Sequence, residues 1–325
     1  MTKTVLLLLL CTTILANLTR ETESSSEYTA WKAKHNKNFE QSEDRYRMYL
    51  YHKRVAEVNA HNQDPKQTYK KAANQFAAYT EEELMEKYLG AINPHQDEET
   101  EVKVHNHRRQ KTSHPIVTSG SKNWVTSLGV DTVKDQGQCG SCWAFATVGE
   151  VEYAIKIKNN SNVVLSTQQL VDCTYSYDGC EGGWFDDPYN FIMHKGLQTE
   201  STYPYTATYG SCSHTTGPYK IQSFKAIYSK HDCSGINDAL LNTGPLGVAV
   251  YAYGAWFYYS TGILTCATIS PGYAANHAVM AVGIDPNYYL IQNSWGKAWG
   301  ENGYIRLSRT QNCNMCGNSV WNSQV

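Results

Sequence analysis

The chain opens on an unbroken apolar run, passes into a long polar stretch, and ends in short apolar runs punctuated by Gly and Pro. Lys3 precedes Val5–Leu10, and Ile14-Leu15-Ala16 offers a cleavage position, which predicts a secretory leader over 1–16. The run is too short to cross a bilayer and no comparable one follows, so a soluble product without a membrane anchor is expected. In the polar stretch, Glu43, Arg47, Tyr51, Arg54, Val58 and Asn62 recur at steps of four, four, three, four and four, one face of a long helix. Tyr79–Leu89 predicts a shorter helix leading into 94–118, a His-, Arg-, Asn- and Ser-rich linker suited to proteolysis.

Beyond the linker the period is again helical. From Trp143 to Lys158, Trp143, Val148, Val151, Ala154 and Ile155 fall near helical spacing, which leaves Glu150, Glu152, Lys156 and Lys158 outside. Leu165–Cys173 predicts a second helix with Ser166 as cap, and Asn237–Leu241 a short third. Gly247–Tyr251, Ala278–Val282, Tyr288–Ile291 and Gly303–Leu307 are β-branched or aromatic and predict strands. The expected class is α+β: a mainly helical lobe over 118–228 and a mainly β, barrel-like lobe over 229–325.

Composition adds a compartment. Net charge is −2, and residues 118–325 hold 11 basic against 14 acidic side chains, which gives no nucleic-acid footprint. Of ten cysteines, Cys11 lies in the leader. Setting Cys142 aside leaves eight, an even set suited to an oxidising compartment. Asn159-Asn160-Ser161 is a glycosylation sequon at Asn159, usable on a secretory route.

The candidate chemistry centres on Asp135-Gln136-Gly137-Gln138-Cys139-Gly140-Ser141-Cys142-Trp143-Ala144-Phe145. Gly140 and Ser141 suit a helix entrance, so Cys142 falls in the first turn, where unpaired N–H groups favour a thiolate, the nucleophilic form. Further on, Asn276-His277-Ala278-Val279 opens an apolar strand, and Gln292-Asn293-Ser294-Trp295-Gly296 precedes Trp299-Gly300. Three other readings compete. Cys139 and Cys142 form a C-x-x-C pair of the thiol–disulfide oxidoreductase kind, but no βαβ context is evident. Together with Cys313 and Cys316 they give a zinc-ligand pattern, which would have to close across the whole domain. An inactive homologue acting as a binding protein would have lost Cys142, His277 or Asn293, and all three are present.

These motifs resemble the papain/cathepsin family of cysteine proteases, in its cathepsin L-like branch. The resemblance implies a two-lobed fold with the active site in the cleft, preceded by a helical pro-domain over 17–117. Glu43, Arg47, Val58 and Asn62 are similar to the family's ERFNIN pattern, with Tyr51 for the usual Phe or Trp and Arg54 for the usual Asn. Ala72–Ala78 resembles GNFD: Asn74 and Phe76 remain, while Ala72 replaces Gly and Ala78 replaces an Asp associated with pH-triggered processing in relatives. Such a pro-domain lays its tail through the cleft in reverse and blocks the thiolate, with the mature start near Ser113–Gly120. Trp124 matches the family's early Trp.

The resemblance assigns Cys142 as nucleophile, His277 as base, Asn293 as the group orienting the ring, and Gln136 with the Cys142 amide as oxyanion hole. His114, His194, His214 and His231 lack the strand-opening context of His277. Gly182 and Gly183 are expected to pair with substrate main chain, and Trp295 to cover the His277–Asn293 bond. Trp184, Phe185 and Ala275 are expected to line the pocket for the second residue before the cut, with Trp321 at its floor. Disulfides are expected at Cys139–Cys180, Cys173–Cys212 and Cys266–Cys316, with Cys233 and Cys313 left as a fourth pair. No cofactor and no metal are implied. Expected partners are protein and peptide substrates, the chain's own propeptide and cystatin-like inhibitors, with no nucleic acid; the enzyme is expected to be monomeric. The expected destination is the secretory pathway, ending in a lysosome or phagosome-like compartment or outside the cell. No paired-His insertion of a carboxydipeptidase is present, which points to an endopeptidase.

Overall fold

The computed structural model describes residues 26–92, 120–175, 177–227, 233–266, 274–313, 315–317 and 320–325. The leader, the 94–118 linker, His114, His231 and the side chain of Trp321 lie outside that description.

The polar N-terminal stretch folds as α1 (26–34), α2 (Gln41–Gln63), β1 (Tyr69–Lys71) and α3 (Glu81–Tyr88). The six-residue stripe is the docking face of α2. Arg47, Tyr51 and Val58 are buried, and Tyr51 packs on Tyr28 and Trp31 of α1 at 5.7 and 5.2 Å. Arg54 lies 3.7 Å over the Tyr258 ring, and Asn62 exchanges two hydrogen bonds with Lys71 of β1. Arg47 reaches Glu83 with two bonds of 2.7 Å, holds Glu43, and donates to the Ala78 carbonyl at 3.1 Å. Glu83 also completes a capping box with Thr80, so one carboxylate both starts α3 and ties it to α2.

The remainder supplies β2 (Lys122–Asn123), α4 (Trp124–Leu128), α5 (Cys142–Asn159), α6 (Gln168–Cys173), α7 (Asp186–His194), β3 (Ser223–Ile227) and α8 (Ser234–Asn242). Then come β4 (Leu246–Val250), α9 (Gly254–Phe257), β5 (Tyr259–Leu264), β6 (His277–Ile284), β7 (Tyr288–Gln292), β8 (Tyr304–Ser308) and β9 (Val320–Gln324). The four expected strands correspond to β4, β6, β7 and β8, with Tyr251 and Gly303 one residue outside, and the short helix falls within α8. The sheet order is β1-β5-β8-β7-β6-β4-β9-β3, with β2 added on β6. Only the β5–β8 pair is parallel among those described. Two strands from before residue 228 thus join the later sheet: β2 on β6 and β3 on β9. The N-terminal domain joins it too, through β1 on β5.

Two expectations are corrected. Helix α5 is buried nearly all round rather than amphipathic, and Glu150 and Glu152 are 1% and 3% exposed. Both are held inside by partners: Glu150 accepts from Tyr189 Oη, Ser323 N and Asn322 Nδ2, and Glu152 from Lys134 and Leu165 N. The second concerns bridges. Cys139 is bonded to Cys180 and Cys173 to Cys212, but Cys266 pairs with Cys313 and Cys233 with Cys316. The physical reason is the parallel β5–β8 pairing, continued by Cys266 N donating to Gln311 O at 3.1 Å. It sets Cys266 beside Cys313, and leaves Cys316 to the start of α8, where Cys233 stands.

Candidate active site

Small residues make the entrance to α5. Gly140 donates to Cys180 O at 2.8 Å, and Ser141 precedes the first helical residue, Cys142. Cys142 is fully buried and is the one free thiol among the described residues. The strand that meets it is β6: Ala278 N donates to Cys142 Sγ at 3.4 Å, and His277 is the residue before it on the same strand. Cys139, Cys313 and Cys316 are oxidised, so they supply neither a zinc set nor a redox partner for Cys142.

His277 is also fully buried. Its Nε2 bonds Asn293 Oδ1 at 2.8 Å, and its ring lies 4.8 Å from Trp295 at 27°, with Trp256 edge-on behind. Its Nδ1 has no partner among the described residues. Since Asn293 Oδ1 also accepts from Ser294 N, the amide oxygen faces the ring and His277 Nε2 is the donor. His194 and His214 are exposed elsewhere.

Gln136 is fully buried, and Ser294 Oγ donates to its Oε1 at 2.6 Å. Its Nε2 donates to Cys139 O at 2.8 Å and to Tyr88 O at 3.1 Å. The second acceptor belongs to the N-terminal domain. Residues 88–92 run through the cleft: Gly90 and Ala91 N–H groups meet Asn276 O, and Gly183 N meets Gly90 O at 2.9 Å while Ile92 N meets Gly183 O at 3.0 Å. The Ala91–Gly183 bridge is parallel. Gly90 also donates toward Cys142 Sγ. A Cβ on Gly90 would stand 1.9 Å from Gly140 O, so only glycine passes there. Trp184, Phe185 and Ala275 are buried beside this segment or in the wall behind it.

Burial governs the charges. Loss of solvation pushes the Cys142 thiol up to about 11 although four backbone N–H groups oppose it. It pushes His277 down to about 4 against the Asn293 bond. While the cleft is covered, burial thus favours the uncharged forms of both side chains and opposes the thiolate that the helix entrance favours.

Some contributors were not legible beforehand. Ser294 sits inside the Asn293 block and could have been found there. Tyr205 bonds Ser141 Oγ at 2.7 Å and Gln136 O at 2.8 Å from 64 and 69 positions away, with no local signal.

A family model described as papain family cysteine protease matches residues 118–323, and one for the cathepsin propeptide inhibitor domain matches 28–84. A cathepsin L-like proteinase of Fasciola hepatica is 34% identical, over 88% of this chain and 89% of its own. Digestive cysteine proteinase 2 of Homarus americanus is 34% identical, over 90% and 92%. Among solved structures, a digestive procathepsin L 3 from Tenebrio molitor larval midgut superposes with a TM-score of 0.80 at 30% identity, covering 93% of this chain and 99% of that one. The match runs through both the cleft and the domain that covers it, and the chain belongs to the papain family of cysteine proteases, as a zymogen with its own propeptide inhibitor domain.

Proposed function

We propose that Cys142 and His277 are the nucleophile and base of an endopeptidase that is silent while residues 88–92 occupy its cleft. Removing those residues restores water to the cleft, and proton transfer from Cys142 to His277 then gives a thiolate–imidazolium pair at the α5 entrance. The thiolate attacks the peptide carbonyl, and Gln136 Nε2 with the Cys142 amide donates to the developing oxyanion. His277 protonates the leaving amine, a thioester remains, and water deprotonated by His277 releases the acyl product. Asn293 holds the ring and Trp295 shields their bond. Gly182 and Gly183 pair with substrate main chain, and Trp184 and Ala275 bound the specificity pocket.

One observation carries this reading: the segment 88–92 touches Gln136, Cys142 and Gly183 at once, and it pairs with Gly183 in parallel, consistent with the reversed tail that the family resemblance implies. We further propose a leader over 1–16, a propeptide over 17–117, a glycan on exposed Asn159, and passage through the secretory pathway to a lysosome-like compartment or the exterior. The described residues include no helix long and apolar enough to cross a membrane. The test is Cys142→Ala: the chain should fold as proenzyme and cleave no fluorogenic peptide after acid treatment. Cleavage near the wild-type rate would falsify the assignment.

A further inference from the structure

The Asn293 amide has a second end. Its Oδ1 serves His277 and Ser294, but its Nδ2 is buried without a partner among the described residues. Two more buried atoms share that condition, Glu152 Oε2 and Thr132 Oγ1. The three residues line one narrow cavity of about 20 Å³ beside α5 and the β6–β7 pair. Glu152 is fixed there by its other oxygen, which accepts from Lys134 Nζ and Leu165 N at 2.7 Å each. A water needs about 10–15 Å³ of such space and two to four polar partners, which this cavity supplies.

We infer that the cavity is a built site for one ordered water, and that Glu152 acts through it as a positioning residue for Asn293. The water accepts from Asn293 Nδ2 and donates to Glu152 Oε2 and Thr132 Oγ1. Ser294 N holds the amide from the oxygen side, and the water holds it from the nitrogen side. A turned amide would offer His277 Nε2 a donor and move the ring proton to Nδ1, the nitrogen that must receive a proton from Cys142. The Lys134–Glu152 ion pair, whose residues line the same cavity, is thereby linked to the imidazole.

The inference rests on the protease reading above. The first test is a high-resolution crystal structure of the proenzyme: a water within hydrogen-bonding distance of all three atoms is expected, and a dry cavity overturns the inference. The second uses the processed enzyme. Glu152→Gln should lower kcat about fivefold, the worth of one ordinary hydrogen bond. KM should change less than about twofold, and the alkaline limb of kcat/KM should move to lower pH because the imidazolium is held less well. Thr132→Val should act in the same direction and leaves the ion pair intact, so it carries the comparison where E152Q does not fold. In an Asn293→Ala background both effects should vanish. Equal losses in both backgrounds would mean a merely structural role. Cleavage surviving Cys142→Ala would sink the protease reading instead, and would leave the crystallographic test standing.

Discussion

A helix entrance and a sealed pocket pull a cysteine in opposite directions, and at Cys142 the pocket wins while the cleft is covered. Its thiol rises to about 11 and its neighbour His277 falls to about 4. Alkylation by iodoacetamide at pH 6 should therefore be slow in the proenzyme and faster by about two orders of magnitude after processing, as thiolate replaces thiol. Equal rates would show that burial does not hold the pair neutral. Glu150 is another residue whose charge the interior opposes: desolvation raises its carboxyl to about 7. A raised carboxyl contributes stability that is complete below about 4.5 and lost as pH climbs toward 7, on the order of 3 kcal/mol. Melting of the wild-type proenzyme should thus move to lower temperature between pH 5 and pH 7.5, and Glu150→Gln should flatten that slope. A slope unchanged in the variant would exclude Glu150 as its source. Cys142 was legible because its position needs only the local Gly-Ser-Cys pattern. Glu150 was not, because its lid is made by Asn322, Ser323 and Tyr189, distant in sequence.

Among the elements, both α2 and α5 could be read as helices, but only the docking of α2 and not the burial of α5, for one reason. A helix that docks by one face writes a stripe, as Arg47, Tyr51 and Val58 do. A helix enclosed on all sides buries the residues off its stripe as well, so its two glutamates look from the sequence like surface residues. The pairing of Cys233, Cys266, Cys313 and Cys316 was illegible for a different reason, since an even count permits several connectivities and only the β5–β8 register chooses among them. The α2–α3 joint makes its own prediction. Ala78 offers Arg47 only a carbonyl, and the charge comes from Glu83 and Glu43. The hydrogen bond to Arg47 holds the Glu83 carboxyl below its usual range. A depressed carboxyl contributes stability above its ordinary pKa and loses it as pH falls through the folded value, so the joint opens on acidification below about 4.3. Glu83→Gln keeps the shape and removes the charge. Its proenzyme should convert at higher pH than wild type, with less pH dependence below about pH 4.3, when followed by gel between pH 3 and pH 7. An unchanged conversion profile would place the trigger elsewhere.

At the scale of the molecule, the propeptide is part of the core rather than a cover laid on it. Strand β1 extends the sheet through β5, and Phe76, Tyr79, Leu84, Tyr88 and Leu89 are buried in one cluster with Trp256, Trp295 and Trp299. The motifs announced the two lobes, yet the division at 228 missed the sheet that crosses it, because β2 and β3 pair only with strands far along the chain. Phe76 is the joint between inhibitor and catalytic wall. It is 1% exposed and packs edge-on against Trp295 at 5.4 Å, Phe257 at 5.8 Å and Tyr88 at 4.9 Å. Truncating such a ring costs about 3–5 kcal/mol. The loss falls on the covered state alone, since Trp295 and Phe257 belong to the peptidase and stay in place. Phe76→Ala should therefore raise the open fraction by about two to three and a half orders of magnitude, and peptide hydrolysis should appear at neutral pH without an acid step. Tyr49→Ala, at a site 61% exposed on the same helical domain, should leave the lag intact. If both variants lose the lag equally, the proregion is held by its general stability and not by the aromatic joint. If neither does, the cleft segment around Gly90 holds the enzyme shut unaided.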